Sequence, residues 1–361
     1  MKYFYLLLLA LACPALARAQ TALTLTALPA LPDGGRYGMG YCQDPNYFYM
    51  VGGGSPPTAY TSTVFRFDPT TNSWGSGALS SGQFTAHRLG TAAIVPPYTG
   101  NNMIYVLNAG TLTGPLVNMP MVQASNGQLA TVYGNPTPAT SAGAAVWNGL
   151  LYTFGGQLAG GTYTNQLQSY NPVTNVWTVL APMPEAKNTY GAAVNGKIYA
   201  IGGYNGLVNS ARVDVYDVAT NQWQPAGTLP STVSNQAVAV QGEWIWMIGD
   251  FNNQGYLAAY NTRTAQLRTF TSNLPPRRNA AAAIHNNKLY VWGGNTASSN
   301  ASTLADMWQA DVSTVRGTTA ARAAAPRLTA YPNPSPSGEF SLQLPRTAAA
   351  WKCATPWAAW S

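Results

Sequence analysis

Short runs of small and aromatic-aliphatic residues alternate with polar turns along this chain, and one order of runs returns about every 47 residues. In each copy a small-residue strand precedes a tight turn, an aromatic-aliphatic strand ends in Gly-Gly, and a third strand leads through Tyr-Asx to a tryptophan. The clearest copies are Gly143–Gly156 with Ser169–Trp177, and Gly191–Gly203 with Val215–Trp223. One such unit is a small sheet that cannot bury both of its faces alone, so the pattern predicts a stacked array of sheets.

Six copies of this unit can be aligned. Their second strands end at Gly52-Gly53, Asn108-Ala109-Gly110, Gly155-Gly156, Gly202-Gly203, Gly249-Asp250 and Gly293-Gly294. The second copy lacks the tryptophan, and the sixth lacks a fourth strand because the sequence from Ser313 onward has no strand pattern. Thr24–Pro32 matches the fourth-strand endings Trp177–Pro184 and Trp223–Pro230. We therefore expect this N-terminal segment to complete the sixth sheet and to close a ring without free edges.

The repeated unit resembles the kelch repeat over roughly Thr21 to Val315. The resemblance implies an all-β fold, a six-bladed kelch-type β-propeller over residues 20–315 that is closed by an N-terminal strand. It implies little about function, because propellers of this type include partner-binding modules and several unrelated enzymes. In this architecture the repeated tyrosines and tryptophans are expected to fill the wedges between neighbouring sheets as core.

The N-terminus has the pattern of a secretory signal. Lys2 precedes an apolar run from Tyr3 to Ala12, and Ala17-Arg18-Ala19 precedes Gln20. We predict a signal peptide over residues 1–19 and a secreted or cell-surface protein. The apolar run is too short to cross a bilayer, so no membrane span is predicted. Lipid attachment at Cys13 is the alternative, although Ala10 stands where such a box usually has leucine.

The C-terminus suggests an appendage to the ring. Residues 316–327 are an Ala/Arg/Thr-rich linker, and Leu328–Pro345 contains Tyr-Pro-Asn-Pro followed by a two-residue alternation of Phe340, Leu342 and Leu344. This segment resembles the start of the C-terminal sorting domain of type IX secretion, which implies the secretion machinery as a partner. The domain over 328–361 is partial, since the pattern stops after about residue 345.

Charge and cysteine content exclude several classes of function. The chain carries a net charge of +7, but only 8% of its residues are charged, and five basic residues against one acid lie from Arg316 onward. The nearly neutral repeat region is unsuited to nucleic acid. Cys42 and Cys353 are far apart in the array and are poor candidates for a disulfide or a metal site. We expect no cofactor and no bound metal.

The long loops that follow Gly-Gly and the loops that precede the next inner strand are expected to share one face. Recognition concentrates on such loops when a rigid frame holds them. Arginines near the pore mouth suit a carboxylate or sulfate, and loop aromatics suit a sugar ring or a protein. The candidate ligand-binding residues on this face are Arg36, Arg88, Asn188, Arg278, Tyr204, Asn205, Asp250, Phe251 and Asn295.

Enzyme functions have less support, and no catalytic residue is assigned. A copper-radical oxidase of the galactose-oxidase type needs two metal histidines and a Cys–Tyr crosslink, whereas His87 and His285 lie in different units and Cys42 lies far from both. A glycosidase needs two facing carboxylates, and nothing in the sequence brings Asp33, Glu185 and Asp250 together.

The expected function is therefore a secreted, non-catalytic propeller that binds a carbohydrate or protein partner through its loop-rich face. The alternative is an enzyme on acidic sugars, a sialic-acid epimerase-like protein or a lyase, with an arginine-lined central pocket. Convergence of Glu185 or Asp250 with the arginines around one pocket would favour the enzyme.

Overall fold

The structure is a computed structural model, and the parts of the chain that it describes are residues 21–55, 59–80, 85, 87, 90–95, 102–111, 113–132, 134–297, 302–315, 330–331 and 341–342. The predicted signal peptide, the predicted linker and Arg88 lie outside these residues. The chain divides into two units, Met1–Thr314 and Val315–Ser361.

The first unit is the predicted six-bladed propeller, with blades 1 to 6 in chain order. The inner strands are Gly40–Gln43, Thr91–Val95, Gly143–Trp147, Asn188–Val194, Ala237–Gln241 and Ala281–His285. The second strands are Phe48–Val51, Met103–Leu107, Leu150–Phe154, Lys197–Tyr204, Trp244–Ile248 and Lys288–Trp292. The third strands are Val64–Asp68, Met119–Gln123, Leu167–Asn171, Arg212–Asp217, Leu257–Asn261 and Met307–Asp311. The outer strands of blades 1 to 5 are Ser73–Trp74, Leu129–Val132, Val176–Leu180, Gln222–Thr228 and Leu267–Ser272.

The N-terminal segment closes the ring, as the sequence predicts. Thr26–Leu28 is the outer strand of blade 6 and pairs antiparallel with Met307–Asp311. A second contact was not predicted: Thr21–Leu23 pairs in parallel with the outer strand of blade 5. Between the two strands, the Leu25 backbone exchanges hydrogen bonds with the Asn273 side chain, at 2.7 Å through its N–H and 2.9 Å through its carbonyl. The segment therefore joins two blades rather than one.

The Gly-Gly pairs hold neighbouring blades together. The second glycine donates its N–H to the backbone carbonyl of a residue that precedes the next inner strand, as in Gly53 to His87 and Gly203 to Val233, each at 2.8 Å. The equivalent bond from Gly294 to Arg36, at 2.7 Å, crosses the closure between blades 6 and 1. A Cβ on Gly202 would lie 2.1 Å from the Val233 oxygen, so a side chain would break this contact.

Apolar clusters fill the wedges between blades, but the repeated tryptophans lie at their rim. Phe48 stacks on Trp292 across the closure with ring centroids 6.0 Å apart, and both side chains are buried. Trp177 and Trp223 are only half-buried, because they belong to outer strands, and they pack on Tyr170 and Tyr216 of their own blades. The prediction that these tryptophans are core is therefore correct only in part: they pack against the core clusters but are not fully buried.

The degenerate second repeat still forms a complete four-stranded blade. Asn108 replaces the first glycine and takes a positive φ of 54°, which asparagine tolerates better than most residues. Short two-stranded ribbons, Gly54–Ser55 with Ala59–Tyr60 and Gly110–Thr111 with Gly114–Pro115, extend the loops of blades 1 and 2.

In the second unit, Ala330–Tyr331 pairs antiparallel with Ser341–Leu342. This pairing agrees with a strand around Leu342, while the remainder of the predicted sorting domain lies outside the described residues. Over the described parts of both units, no helix has the length and apolar character needed to cross a membrane.

Candidate functional site

A ring of backbone pairs surrounds the propeller axis on the loop-rich face. Each pair joins a residue that lies just before an inner strand, or begins it as Asn188 does, to the residue two places after the first glycine of the same blade. The pairs are Tyr37 with Gly54, Thr140 with Gln157, Asn188 with Tyr204, and Arg278 with Asn295, and in blade 5 the Phe251 N–H donates to the Ser234 carbonyl. Five of the candidate binding residues therefore belong to this ring: Asn188, Tyr204, Phe251, Arg278 and Asn295.

Arg278, Phe251 and Asn295 come together between blades 5 and 6. The Arg278 guanidinium lies over the Phe251 ring, 4.2 Å from its centroid, and donates to the Ala297 carbonyl at 2.6 Å. Asn295 donates to the same carbonyl at 2.9 Å. Arg278 is 5% exposed, and burial lowers the pKa of its guanidinium. Phe251, 45% exposed, is thus the part of this cluster that faces solvent.

Arg36 occupies a different position from Arg278. It is 1% exposed, donates to the Gly52 carbonyl at 2.9 Å and contacts the side chains of Asp33 and Thr63. Burial lowers the pKa of its guanidinium to about 10. Its partners lie in its own blade, and little of the guanidinium is left for an incoming ligand.

The equivalent of Arg36 in blade 6 is Arg277, which is not among the predicted binding residues. Arg277 is fully buried, donates to both Asp306 oxygens at 3.1 and 2.9 Å, and donates to the Gly293 carbonyl at 3.1 Å. Lys187 takes the same place in blade 4, where its ammonium lies 3.1 Å from Glu185. Arg36, Lys187 and Arg277 each lie directly before a residue of the backbone ring. This shared position in the repeat could have identified them from the sequence. These cations stabilise blades from within.

The acids of this face are bound within single blades. Asp250 accepts backbone N–H groups of Ser234 at 2.6 Å, Asn252 at 3.0 Å and Asn253 at 2.8 Å, and is 2% exposed. Glu185 holds Lys187. Among the ion pairs of the described residues, none joins Glu185 or Asp250 to Arg36 or Arg278. The convergence that would favour an enzyme on acidic sugars is not found there.

Asn188, Tyr204 and Asn205 lie in blade 4. The Asn188 side chain accepts the Tyr204 N–H at 2.8 Å, and Tyr204 packs edge-on against Tyr163 of blade 3 with centroids 5.8 Å apart. Asn205 accepts the N–H groups of Leu207 and Val208 at 3.0 and 2.9 Å, which holds the tip of this loop in a tight turn.

That turn presents apolar side chains to solvent. Leu207 is 88% and Val208 60% exposed, and they directly follow Gly206, whose carbonyl accepts the Tyr204 hydroxyl at 2.7 Å. We call Tyr163, Tyr204, Leu207 and Val208 the blade 4 patch. The pattern of turn residues predicted a loop here, but the exposure of its leucine and valine required the structure.

The inner strands of all six blades surround a central channel of about 370 Å³. Tyr41 spans it: its hydroxyl donates to the Val238 carbonyl at 3.1 Å and accepts the Val238 N–H at 2.7 Å. Gln43 makes the same double contact with Ile284, at 2.9 and 3.1 Å. Among the described residues that line the channel, none carries a charge. The predicted arginine-lined pocket therefore does not coincide with this cavity.

The two histidines do not form a metal site in the described parts of the chain, where no cluster of metal-ligating side chains occurs. His87 is fully buried beside Gly52, and burial lowers the pKa of its imidazole to about 4. The imidazole is therefore neutral near pH 7. His285 lies at the far end of an inner strand, against Phe48.

Two kelch models match the chain: the KLHDC2/KLHL20/DRC7 Kelch-repeats domain over residues 116–266 and the Kelch motif over residues 35–76. With the six four-stranded blades, these matches show that the propeller is built of kelch repeats. The chain is a kelch-repeat protein. The matches cover blade 1 and most of the array from blade 2 to blade 5, which confirms the resemblance seen in the repeats.

Several curated proteins are similar to this kelch propeller over part of their length. Kelch-like protein terF of Aspergillus terreus is 31% identical over 186 residues, which are 45% of this chain and 40% of that protein. Kelch-like protein 7 of Rattus norvegicus is 33% identical over 113 residues, 30% of this chain and 19% of that protein. Kelch-like ECH-associated protein 1A of Danio rerio is 46% identical over 71 residues, 19% of this chain and 12% of that protein. The chain thus spans less than half of each relative.

Proposed function

We propose that this kelch propeller is a non-catalytic binding module whose loop-rich face engages a protein partner, with the blade 4 patch at the centre of the contact. The observation that carries the proposal is the exposure of Leu207 and Val208 on a turn that Asn205 holds rigid. Exposed apolar side chains that adjoin aromatic rings are typical of protein interaction sites. A rigid turn loses little conformational freedom on binding.

The polar groups of the same face support binding rather than catalysis. The carboxylates of Asp33, Glu185 and Asp250 accept hydrogen bonds or form ion pairs inside their own blades. A general acid or base must reach the substrate, and these groups are occupied by structural partners. The branched aliphatic side chains also favour a protein over a carbohydrate, since sugar rings stack on aromatic faces.

The test compares two exposed apolar residues on different parts of the ring. Leu207→Asp alters the blade 4 patch, whereas Val179→Asp alters an equally apolar, 61% exposed position on the outer strand of blade 3. Proteins crosslinked to the full chain in its native host should be lost with Leu207→Asp and retained with Val179→Asp. Equal retention by both variants would refute the patch. A glycan-array signal that Tyr204→Ala removes would instead establish the carbohydrate partner.

We further propose that the protein is exported, on the pattern of residues 1–19, and that Leu328–Pro345 engages the type IX secretion machinery. Mass spectrometry of the protein from the culture medium should give Gln20 as its first residue. Retention of the chain in the cytoplasm would contradict export, and unchanged export after removal of residues 328–361 would contradict the role of the C-terminal segment.

A further inference from the structure

The outer strand of blade 3, Val176–Leu180, forms an uncovered sheet edge. It pairs with the third strand of its own blade, and no other described strand pairs with its second side. Val176 is 51% and Val179 61% exposed, and Thr178 is exposed as well. An exposed edge strand with apolar side chains is a template for pairing with another strand.

The register of the blade shows which backbone groups are free at this edge. In blade 5 the Asn261 N–H donates to the Gln266 carbonyl at 2.8 Å, so the adjacent residue Leu267 belongs to a non-hydrogen-bonded pair. Trp177 takes the place of Leu267 in blade 3. Because hydrogen-bonded and non-hydrogen-bonded pairs alternate, the N–H and carbonyl groups of Trp177 and Val179 point away from the blade.

The other outer strands are covered, interrupted or short. Thr21–Leu23 covers the outer strand of blade 5, which also carries Arg268. Pro225 and a shift in register interrupt the outer strand of blade 4. The outer strands of blades 1 and 6 have two and three residues. That of blade 2 has four, among which Ala130 and Thr131 are exposed. The pairing in blade 5 also shows that an outer edge of this ring accepts a further strand.

The sector of the ring that contains the blade 3 edge carries no charge. No residue from Leu89 to Pro184 is charged, and this stretch spans the strands of blades 2 and 3. The same stretch contains five exposed large apolar side chains, namely Val117, Trp147, Val173, Val176 and Val179. Charged side chains normally keep sheet edges and surfaces from associating, and this sector has none.

A second copy of the chain matches this edge in one antiparallel register. With Thr178 on the two-fold axis, Trp177 of each copy lies opposite Val179 of the other, and their free backbone groups face each other. Val176 then lies opposite Leu180 on the other face of the sheet. Pairs of aromatic and β-branched residues stabilise antiparallel strands, and every pair in this register is uncharged. We propose that the chain forms a two-fold dimer through the outer strands of blade 3, which joins the two blades into one continuous sheet.

This contact is separate from the proposed protein site. The edge lies on the perimeter of blade 3, whereas the blade 4 patch lies on the loop-rich face. Val179→Asp, the control variant for that patch, should therefore weaken self-association and still retain other crosslinked proteins. Leu207→Asp should keep the dimer and lose those proteins.

The first experiment is disulfide trapping in the full chain with Cys353→Ser. In the proposed register Thr178 lies opposite its own copy in a non-hydrogen-bonded pair, where Cα atoms are about 4.5 Å apart. Thr178→Cys should therefore give a disulfide-linked dimer when the chain is oxidised with diamide. Val176→Cys is the matched control on the same strand. Its two copies would be roughly 13 Å apart, which is too far for a disulfide.

The second experiment measures association by sedimentation velocity. The wild-type chain should dimerise, and Thr178→Lys should raise the Kd of the dimer roughly tenfold or more, because two ammonium groups would meet across the axis. Thr131→Lys places the same charge on the outer strand of blade 2 and should leave this Kd unchanged. The proposal is overturned if the wild-type chain stays monomeric up to about 100 μM. It is also overturned if Val176→Cys crosslinks as fully as Thr178→Cys, or if the two lysine variants associate equally.

Discussion

Removing the N-terminal segment should unfold much of the propeller. We compare chains that begin at Thr21 and at Asp33. The missing segment supplies the outer strand of blade 6, the parallel strand on blade 5, and three leucines, Leu23, Leu25 and Leu31, that are each less than 9% exposed. Without it, two blades expose unpaired edges and the closure loses its apolar seal.

The magnitude follows from the burial. Full burial of a leucine stabilises by roughly 1.5–3 kcal/mol, so the three side chains contribute about 4.5–9 kcal/mol as an upper estimate. The two hydrogen bonds between Leu25 and Asn273 add about 1 kcal/mol each. The sum is comparable to the total stability of roughly 5–15 kcal/mol that most proteins have.

The assay is urea unfolding followed by tryptophan fluorescence and far-ultraviolet circular dichroism. Leu25→Ala, a smaller perturbation in the full segment, should cost roughly 2–5 kcal/mol. Leu207→Ala removes an exposed leucine and should change stability little. If the chain that begins at Asp33 had the same urea midpoint as the longer chain, closure by this segment would be refuted.

Two further predictions concern a tryptophan pair and a histidine. Trp223→Ala should lower the free energy of unfolding in urea by about 1 kcal/mol more than Trp177→Ala. The reason is that the Trp223 indole donates to the Ala181 carbonyl at 2.8 Å, whereas the Trp177 indole has no hydrogen-bond partner in the described chain. Equal losses for the two variants would contradict this reasoning. Burial lowers the pKa of His87 from 6.5 to about 4, so the unfolded chain binds one more proton in that window. The contribution of a neutral His87 to the free energy of unfolding should be fully present above pH 6.5 and should be lost, by about 3 kcal/mol, as the pH drops to 4. His87→Gln should remove this pH dependence, and His285→Gln should keep it.

The order of strands and the closure of the ring could be predicted from the sequence because their signals are local and repeated. Each blade has a small inner strand and a turn, and four of the six have a Gly-Gly pair at a fixed distance, so these features return in register along the chain. Thr24–Pro32 resembles the other outer strands for the same reason: it occupies the same environment in blade 6. The parallel pairing of Thr21–Leu23 with blade 5 had no such signal, since three residues carry no period.

The direction of individual side chains depended on the tertiary structure. In the sequence, the positions of Arg36 and Arg278 in their repeats differ by only one residue. In the structure that difference places the Arg36 guanidinium inside its blade and the Arg278 guanidinium against the Phe251 ring. The backbone pairs of the ring set this difference, and they form only when six blades meet. The same holds for the channel: the sequence placed arginines at its mouth, whereas closure of the ring lined it with uncharged residues such as Tyr41, Gln43 and Ala92, because only the complete ring determines which residues face one another.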